Sequence, residues 1–252
     1  MTVVLAAKNL KKSFGGVKAV DDISFEVKAG RLLAMIGPNG AGKTTCFNLL
    51  NGQLTPDGGS AKLDGKELVG LTPREIWRLG VGRTFQITAT FGSMTVLENV
   101  QMTLLSYHKL SVALKTMVRD LFVDEAMALL ERVGMAEQAK RACSILAYGD
   151  LKRVELAVAL GNEPRLLLMD EPTAGMAPRE RIELMELTAE IVRERNISVL
   201  FTEHDMDVVF SHADQVIVLN RGTLISQGKP KEVRADAQVQ EIYLGSGSTY
   251  AA

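Results

Sequence analysis

The chain has 252 residues, 46% of them hydrophobic and 23% charged, which are proportions of a globular protein with a large core and exclude both a disordered segment and a disulfide miniprotein. Lys and Arg number 29 against 30 for Asp and Glu, so a net charge of −1 supplies no global field for nucleic acid or an anionic membrane, and any anion site has to be local. Two cysteines, Cys46 and Cys143, give neither a disulfide framework nor a metal-ligand spacing and point to a reducing compartment.

The apolar stretch before Lys8 is too short for a signal peptide, and no run reaches the roughly 18 apolar residues of a membrane span. The expectation is a cytosolic chain, or one held at a membrane through a partner. Short apolar or alternating runs at Ile23 to Val27, Leu32 to Ile36 and Ala61 to Leu63, separated by Gly, Pro and Asp, predict strands. From about Thr95 to Leu160 the period becomes helical, through Val96, Val100 and Leu104 and later Leu121, Met127, Leu130 and Val133. Strand runs return at Leu166 to Met169, Ser198 to Thr202 and Val216 to Leu219, with a helix from about Pro178 to Arg195 between the first two. Strands alternating with helices predict an α/β fold with a parallel sheet. No internal repeat or low-complexity linker divides the chain, and its small, polar last residues, Gly245 to Ala252, predict a frayed end.

The strongest local signal is Gly37-Pro38-Asn39-Gly40-Ala41-Gly42-Lys43-Thr44, which follows the apolar run Leu32 to Ile36 and precedes a helix-like stretch from Thr45. Glycines let the backbone N–H groups wrap a phosphate, and the following helix adds its positive end. Lys43 suits the β- and γ-phosphates, and the Thr44 hydroxyl suits Mg²⁺. The bare pattern arises by chance in roughly one chain in a hundred of this length. A second apolar run, Leu166 to Met169, ends in Asp170-Glu171 at the strand end where α/β ligands bind. Asp170 suits a metal reached through water, and Glu171 suits a water attacking the γ-phosphate, with a simple loop-capping role as the alternative. A third run ends at Glu203-His204-Asp205 and brings His204 to the same sheet edge. His108 and His212 have no such context and are expected to be surface or satisfied histidines. Gln86, after Val81 to Phe85, is a polar amide at the passage into the helical region, a place from which it could touch Mg²⁺, although a Gln in a loop carries no signal by itself.

Taken in order, the phosphate loop, Gln86, the stretch Leu146-Ala147-Tyr148-Gly149-Asp150, the strand with Asp170-Glu171, and His204 resemble the ATP-binding cassette ATPases over almost the whole chain. The resemblance implies a P-loop NTPase with a RecA-like parallel-sheet core, an N-terminal antiparallel β part and an inserted α-helical subdomain. The core would take residues 1–86 and 165–252, and the subdomain about 87–164. It implies that ATP and Mg²⁺ are bound by the loop residues through Thr45, with Phe14 stacked on the adenine unless that ring belongs to the core. Metal contacts would come from Thr44, Gln86 and Asp170. It also implies two cassettes facing head to tail, so that Ala147, Tyr148, Gly149 and Asp150 of one copy close on the ATP of the other.

Phe14 to Val17, Arg83 to Gln86, Met94 to Asn99, the Ala147-Tyr148-Gly149 form of the signature, and Tyr243-Leu244-Gly245 are similar to the ATP-binding subunits of importers for branched-chain and other hydrophobic amino acids. That implies a second cassette of the same or another chain, two transmembrane permease subunits and, indirectly, an external solute-binding protein, with no nucleic acid. The place implied is the cytoplasmic face of the inner (plasma) membrane. Three positions depart from the family pattern: Ala147 for the usual Ser, Asp150 for the usual Gln, and Ala177 where many members carry an acid. Cassettes for another solute, for lipid-linked export, or in soluble non-transport proteins share the same motifs.

Overall fold

The computed structural model describes residues 2–84, 90–109 and 120–244. Gln86 and Gly245 therefore lie outside the described residues. The chain opens with β1 (Val3–Phe14) and β2 (Val17–Lys28), an antiparallel hairpin, followed by β3 (Leu32–Ile36) and α1 (Lys43–Leu50). Next come β4 (Gly58–Leu63), β5 (Lys66–Glu67), α2 (Pro73–Arg78) and β6 (Val81–Thr84). The helical stretch holds α3 (Val96–Tyr107), α4 (Val123–Arg132) and α5 (Tyr148–Leu160). The remainder alternates as far as β9 and then closes with a strand and two helices: β7 (Leu166–Asp170), α6 (Pro178–Arg195), β8 (Ser198–Thr202), α7 (Met206–His212), β9 (Gln215–Asn220), β10 (Thr223–Gly228), α8 (Pro230–Ala235) and α9 (Ala237–Leu244).

One sheet, of order β2-β1-β4-β5, is antiparallel; the other, of order β10-β9-β3-β8-β7-β6, is parallel except for the edge strand β10. The central strands β3, β7 and β8 are buried along their whole length, as expected of a sheet covered on both faces. Alternate residues of these strands enter two separate cores. Leu32, Ala34, Ile36, Leu167, Met169, Val199 and Phe201 pack with α3, α4, α5 and α6, whereas Leu33, Met35, Leu166, Leu168 and Leu200 pack with α1 and the antiparallel sheet. The period of two along a strand thus divides the molecule into two layers about one sheet.

Local chemistry fixes the helix starts. Thr72-Pro73-x-Glu75 and Thr95-x-x-Glu98 are both closed as capping boxes, with the threonine side chain accepting from the glutamate N–H and the carboxylate accepting from the threonine N–H. Asn99, almost fully buried, accepts from the Phe91 N–H at 2.8 Å and donates to the Thr95 carbonyl at 2.9 Å, fastening the entrance to the helical stretch. Both cysteines are free and buried. Among the described residues no helix is long and apolar enough to cross a membrane.

Candidate functional site

The C-terminal ends of β3, β7 and β8 lie side by side, because Met35 pairs with Thr202 and Thr202 with Asp170. This is the edge of a parallel sheet where ligands bind. From Ile36 the chain turns through Gly37 to Gly42 into α1. Gly37 has φ +154° and Gly42 +105°, and a Cβ would collide with the Leu219 carbonyl oxygen at the first and with the Ala19 carbonyl oxygen at the second. Both positions therefore demand glycine. Gly42 is the left-handed residue preceding α1, so the first N–H groups of that helix face the loop. The Gly222 N–H donates to the Ala41 carbonyl at 3.0 Å, and the Asp21 N–H donates to the Gly222 carbonyl at 2.7 Å, tying the loop to the β9–β10 turn and to β2.

Asn39, Gly40 and Thr44 are exposed, while Pro38 and Thr45 are half-buried. Lys43 is 7% exposed, and its ammonium donates to the carbonyls of Gly37 at 2.6 Å and Pro38 at 3.2 Å. Burial holds its pKa below the ordinary lysine value, against the pull of the Glu171 and Asp170 carboxylates, which face it. Lys43, the first residue of α1, and the two acids that follow one another at the end of β7 thus interact through their charges.

Asp170 ends β7 with its Oδ1 accepting from the Thr202 hydroxyl at 2.8 Å, and the same hydroxyl oxygen accepts from the Glu171 N–H at 3.0 Å. Arg83, from β6, approaches Asp170 Oδ2 at 3.6 Å and donates to Asn48 Oδ1 on α1 at 3.0 Å. Glu171 adopts a left-handed backbone, φ +48°, rare for a non-glycine residue. Its Oε1 lies 2.8 Å from His204 Nε2. No group of three His, Cys, Asp or Glu side chains able to hold a metal occurs among the described residues. A divalent cation beside Asp170 would take its other ligands from the Thr44 hydroxyl, phosphate oxygens and water. That donor set suits Mg²⁺, which keeps much of its hydration and needs few carboxylates.

Ala147, exposed, precedes α5 and offers no side-chain cap; Tyr148 is exposed, Gly149 buried and Asp150 half-buried in the first turn. This stretch packs toward α6: a Cβ on Gly149 would come 3.1 Å from Glu180 Oε1, and one on Gly175 would come 3.4 Å from the Tyr148 ring. Phe14 ends β1 with 46% of its surface exposed, which removes the alternative of a core aromatic. It pairs with Val17 at the hairpin tip, next to the Lys18 and Ala19 carbonyls that close on Gly222 and Gly42. His108 stacks on Phe122 at 4.5 Å and lies 3.3 Å from Glu125. His212 ends α7, with burial, opposed by Glu186, lowering its pKa.

Thr202 and Glu203 were not singled out by pattern, and Arg83 was noted only within the stretch Arg83 to Gln86, with no role at the site. Thr202 joins both acids. Glu203 is 3% exposed and accepts from the Thr173 hydroxyl at 2.6 Å, the Thr173 N–H at 2.9 Å and the His204 N–H at 3.1 Å. An acid beside the histidine was the one available signal.

The ABC transporter family profile matches residues 20–174, and that of the branched-chain amino acid ATP-binding cassette transporter matches residues 223–248. The chain is 42% identical to the high-affinity branched-chain amino acid transport ATP-binding protein LivG of Salmonella typhimurium, over 96% of this chain and 98% of that protein. It is 40% identical to the corresponding protein BraF of Pseudomonas aeruginosa over the same shares. The fold superposes on the crystal structure of the ADP conformation of an ATP-binding cassette of an ABC transporter with a TM-score of 0.87, at 32% identity over 97% of this chain and 100% of that one. A nucleotide-free cassette from an ABC transporter gives a TM-score of 0.85 at 31% identity, over 96% and 99%. With a nucleotide-binding fold, a phosphate loop and relatives along nearly its full length, the chain belongs to the ABC transporter family and is one of its ATP-binding cassettes, an ATPase.

Proposed function

We propose that this chain is the ATP-hydrolysing subunit of an importer for branched-chain or related hydrophobic amino acids, working at the cytoplasmic face of the inner (plasma) membrane. The names of its relatives support the solute class. The observation that carries the chemistry is the 2.8 Å contact between Glu171 and His204, at a sheet edge where Lys43 faces Glu171 and Asp170.

In this scheme Phe14 stacks on the adenine, and the N–H groups from Gly37 to Thr45 receive the phosphates. Lys43 exchanges the Gly37 and Pro38 carbonyls for the β- and γ-phosphate oxygens. Thr44, Asp170 and Gln86 would hold Mg²⁺, which would supply positive charge to the phosphates. Glu171 takes the proton of the attacking water, and His204 holds the Glu171 carboxylate in position and contacts the γ-phosphate. Ala147 to Asp150 of a second cassette, a copy of this chain or another, complete the site with the N-terminal dipole of their helix.

Residues 1–86 and 165–252 act as the catalytic core, and residues 87–164 as a helical subdomain. A groove of about 540 Å³, lined by Trp77, Arg83, Phe91, Met102, Glu155 and Val158, lies between them and supports docking of a short helix from a permease subunit. Gentle solubilisation of membranes carrying a tagged copy, followed by mass spectrometry, tests the assembly. Two multi-span proteins with a second cassette are expected, and recovery of this chain alone in the soluble fraction would refute it.

A further inference from the structure

The loop after Glu171 is fastened to the end of β8 at three points, and the three fasteners bracket His204. Thr202 accepts from the Glu171 N–H at 3.0 Å. Glu203 binds the Thr173 hydroxyl and N–H at 2.6 and 2.9 Å. Asp205 accepts from Arg181 Nη1 at 2.7 Å, while Arg181 Nε donates to the Met176 carbonyl at 2.8 Å. Asp205 also accepts from the Asp207 and Val208 N–H groups, so it anchors α7 as well as the loop.

Glu203 differs from its two neighbours in this set. It is almost completely buried, yet it is a carboxylate accepting three hydrogen bonds, two from Thr173 and one from the backbone of His204 itself. Such charge-assisted bonds are short and directional, and a buried carboxylate is tolerated only when satisfied in this way. The His204 side chain, by contrast, is 49% exposed and keeps its place through the 2.8 Å contact with Glu171. A half-exposed imidazole has rotamer freedom that one contact to a carboxylate does not remove. Its backbone N–H is held by Glu203 at 3.1 Å, which fixes the point from which the ring reaches Glu171. The same carboxylate fixes Thr173, two residues beyond Glu171. Both ends of the Glu171–His204 pair are thus referred to one buried side chain.

We propose that Glu203 is a positioning residue for ATP hydrolysis: it couples the loop 172–177 to His204, so that a displacement of the loop is carried to the Glu171–His204 pair. This rests on the role given above to His204. It also assigns the intersubunit link to a residue other than Ala177, the loop position that has no acid. A loop pressed inward by the facing cassette would align the histidine through Thr173 and Glu203, and a loop drawn outward would pull it away from Glu171.

The test compares Glu203→Gln in the native and the His204→Ala background, using the full-length chain. The Gln side chain keeps an oxygen for Thr173 but turns its NH₂ toward the His204 N–H, so the bond to His204 is lost specifically. The single-turnover rate is expected to fall about 10-fold, since misplacement of reacting groups by a fraction of an ångström is enough, with affinity for a fluorescent ATP analogue held within about 2-fold. In the His204→Ala background the same change is expected to cost less than about 2-fold, because its route is already removed. Thr173→Val, which deletes one donor and no charge, carries the same comparison should Glu203→Gln fail to fold, with an expected loss of about 3-fold that vanishes without His204. An undiminished rate, or an equal loss in both backgrounds, overturns Glu203 as a positioning residue. A full rate in His204→Ala alone overturns instead the role of His204.

Discussion

Replacing Glu171 by Gln separates proton transfer from every other duty of that position. The amide has the volume of the carboxylate and keeps an oxygen at the place where Oε1 lies 2.8 Å from His204. The backbone contact that holds the residue, Glu171 N–H to Thr202 Oγ1 at 3.0 Å, does not involve the side chain at all. Nucleotide contacts assigned to Lys43 and the loop should therefore persist, while the acceptor for the water proton is lost together with one of the two negative charges that act on Lys43. General-base catalysis contributes about 10²- to 10⁴-fold, or about 2.7 to 5.4 kcal/mol at 1.36 kcal/mol per decade. The single-turnover rate of phosphate release is expected to fall by at least about 10²-fold while ATP affinity stays within about 3-fold, leaving a long-lived ATP-bound pair of cassettes visible by size-exclusion chromatography. A rate within about 3-fold of the native one would remove Glu171 as the base, and a loss of affinity matching the loss of rate would make its contribution one of binding.

Gly42→Ala should destabilise the protein by about 3 kcal/mol, because a Cβ at φ +105° is strained and meets the Ala19 carbonyl; the thermal midpoint should drop by about 6–12 °C, and an unchanged midpoint would contradict the close approach. Burial would raise the pKa of Asp205, but the Arg181 guanidinium and the Val208 and Asp207 N–H groups outweigh it and hold the carboxyl below its ordinary value. A depressed folded-state pKa contributes stability above the unfolded value near pH 4 and loses it as pH falls through the folded one. Asp205→Asn should thus cost about 1 kcal/mol at pH 7, with the difference in thermal midpoint shrinking below about pH 4; a pH-independent difference would contradict the ion pair. Burial pushes the Cys46 thiol up to about 12, so at pH 8 it stays protonated and inert, and iodoacetamide should label it only in denaturant. Since the folded thiol holds its proton where the unfolded one releases it, its contribution declines as pH rises from about 8.5 toward 12. Rapid labelling of Cys46 in the native protein at pH 8, read by mass spectrometry, would contradict its burial.

What could be read along the chain was whatever chemistry is local. The phosphate loop is contiguous, the acids close an apolar run, and His204 closes another, so each announces itself within about ten residues. What could not be read depends on pairing across the sheet. Thr202 matters because it stands beside Asp170 in register, 32 positions away, and Arg83 matters because β6 brings it to Asn48, 35 positions away. The strand β1 escaped for a different reason. Its register shifts at four places against β2, and the inward residues Val4, Leu5, Ala7 and Leu10 break the alternation by which a strand is recognised. β10 has a shift of its own between Leu224 and Ser226 and is only partly buried, as an edge strand is, so it lacks a clean apolar face.

The three departures from the family pattern converge on one place. Ala147 supplies no side-chain cap, so the first-turn N–H groups of α5 keep their capacity for an external acceptor. The carboxylate in that turn belongs to Asp150, and a second one, Glu180 of α6, sits against Gly149 while accepting from the Ala177 N–H at 3.1 Å. The acid missing at Ala177 is thus matched by one three residues later, turned toward the signature of its own chain. Two carboxylates beside the helix end that would meet a facing γ-phosphate favour the helix dipole but oppose the incoming anion.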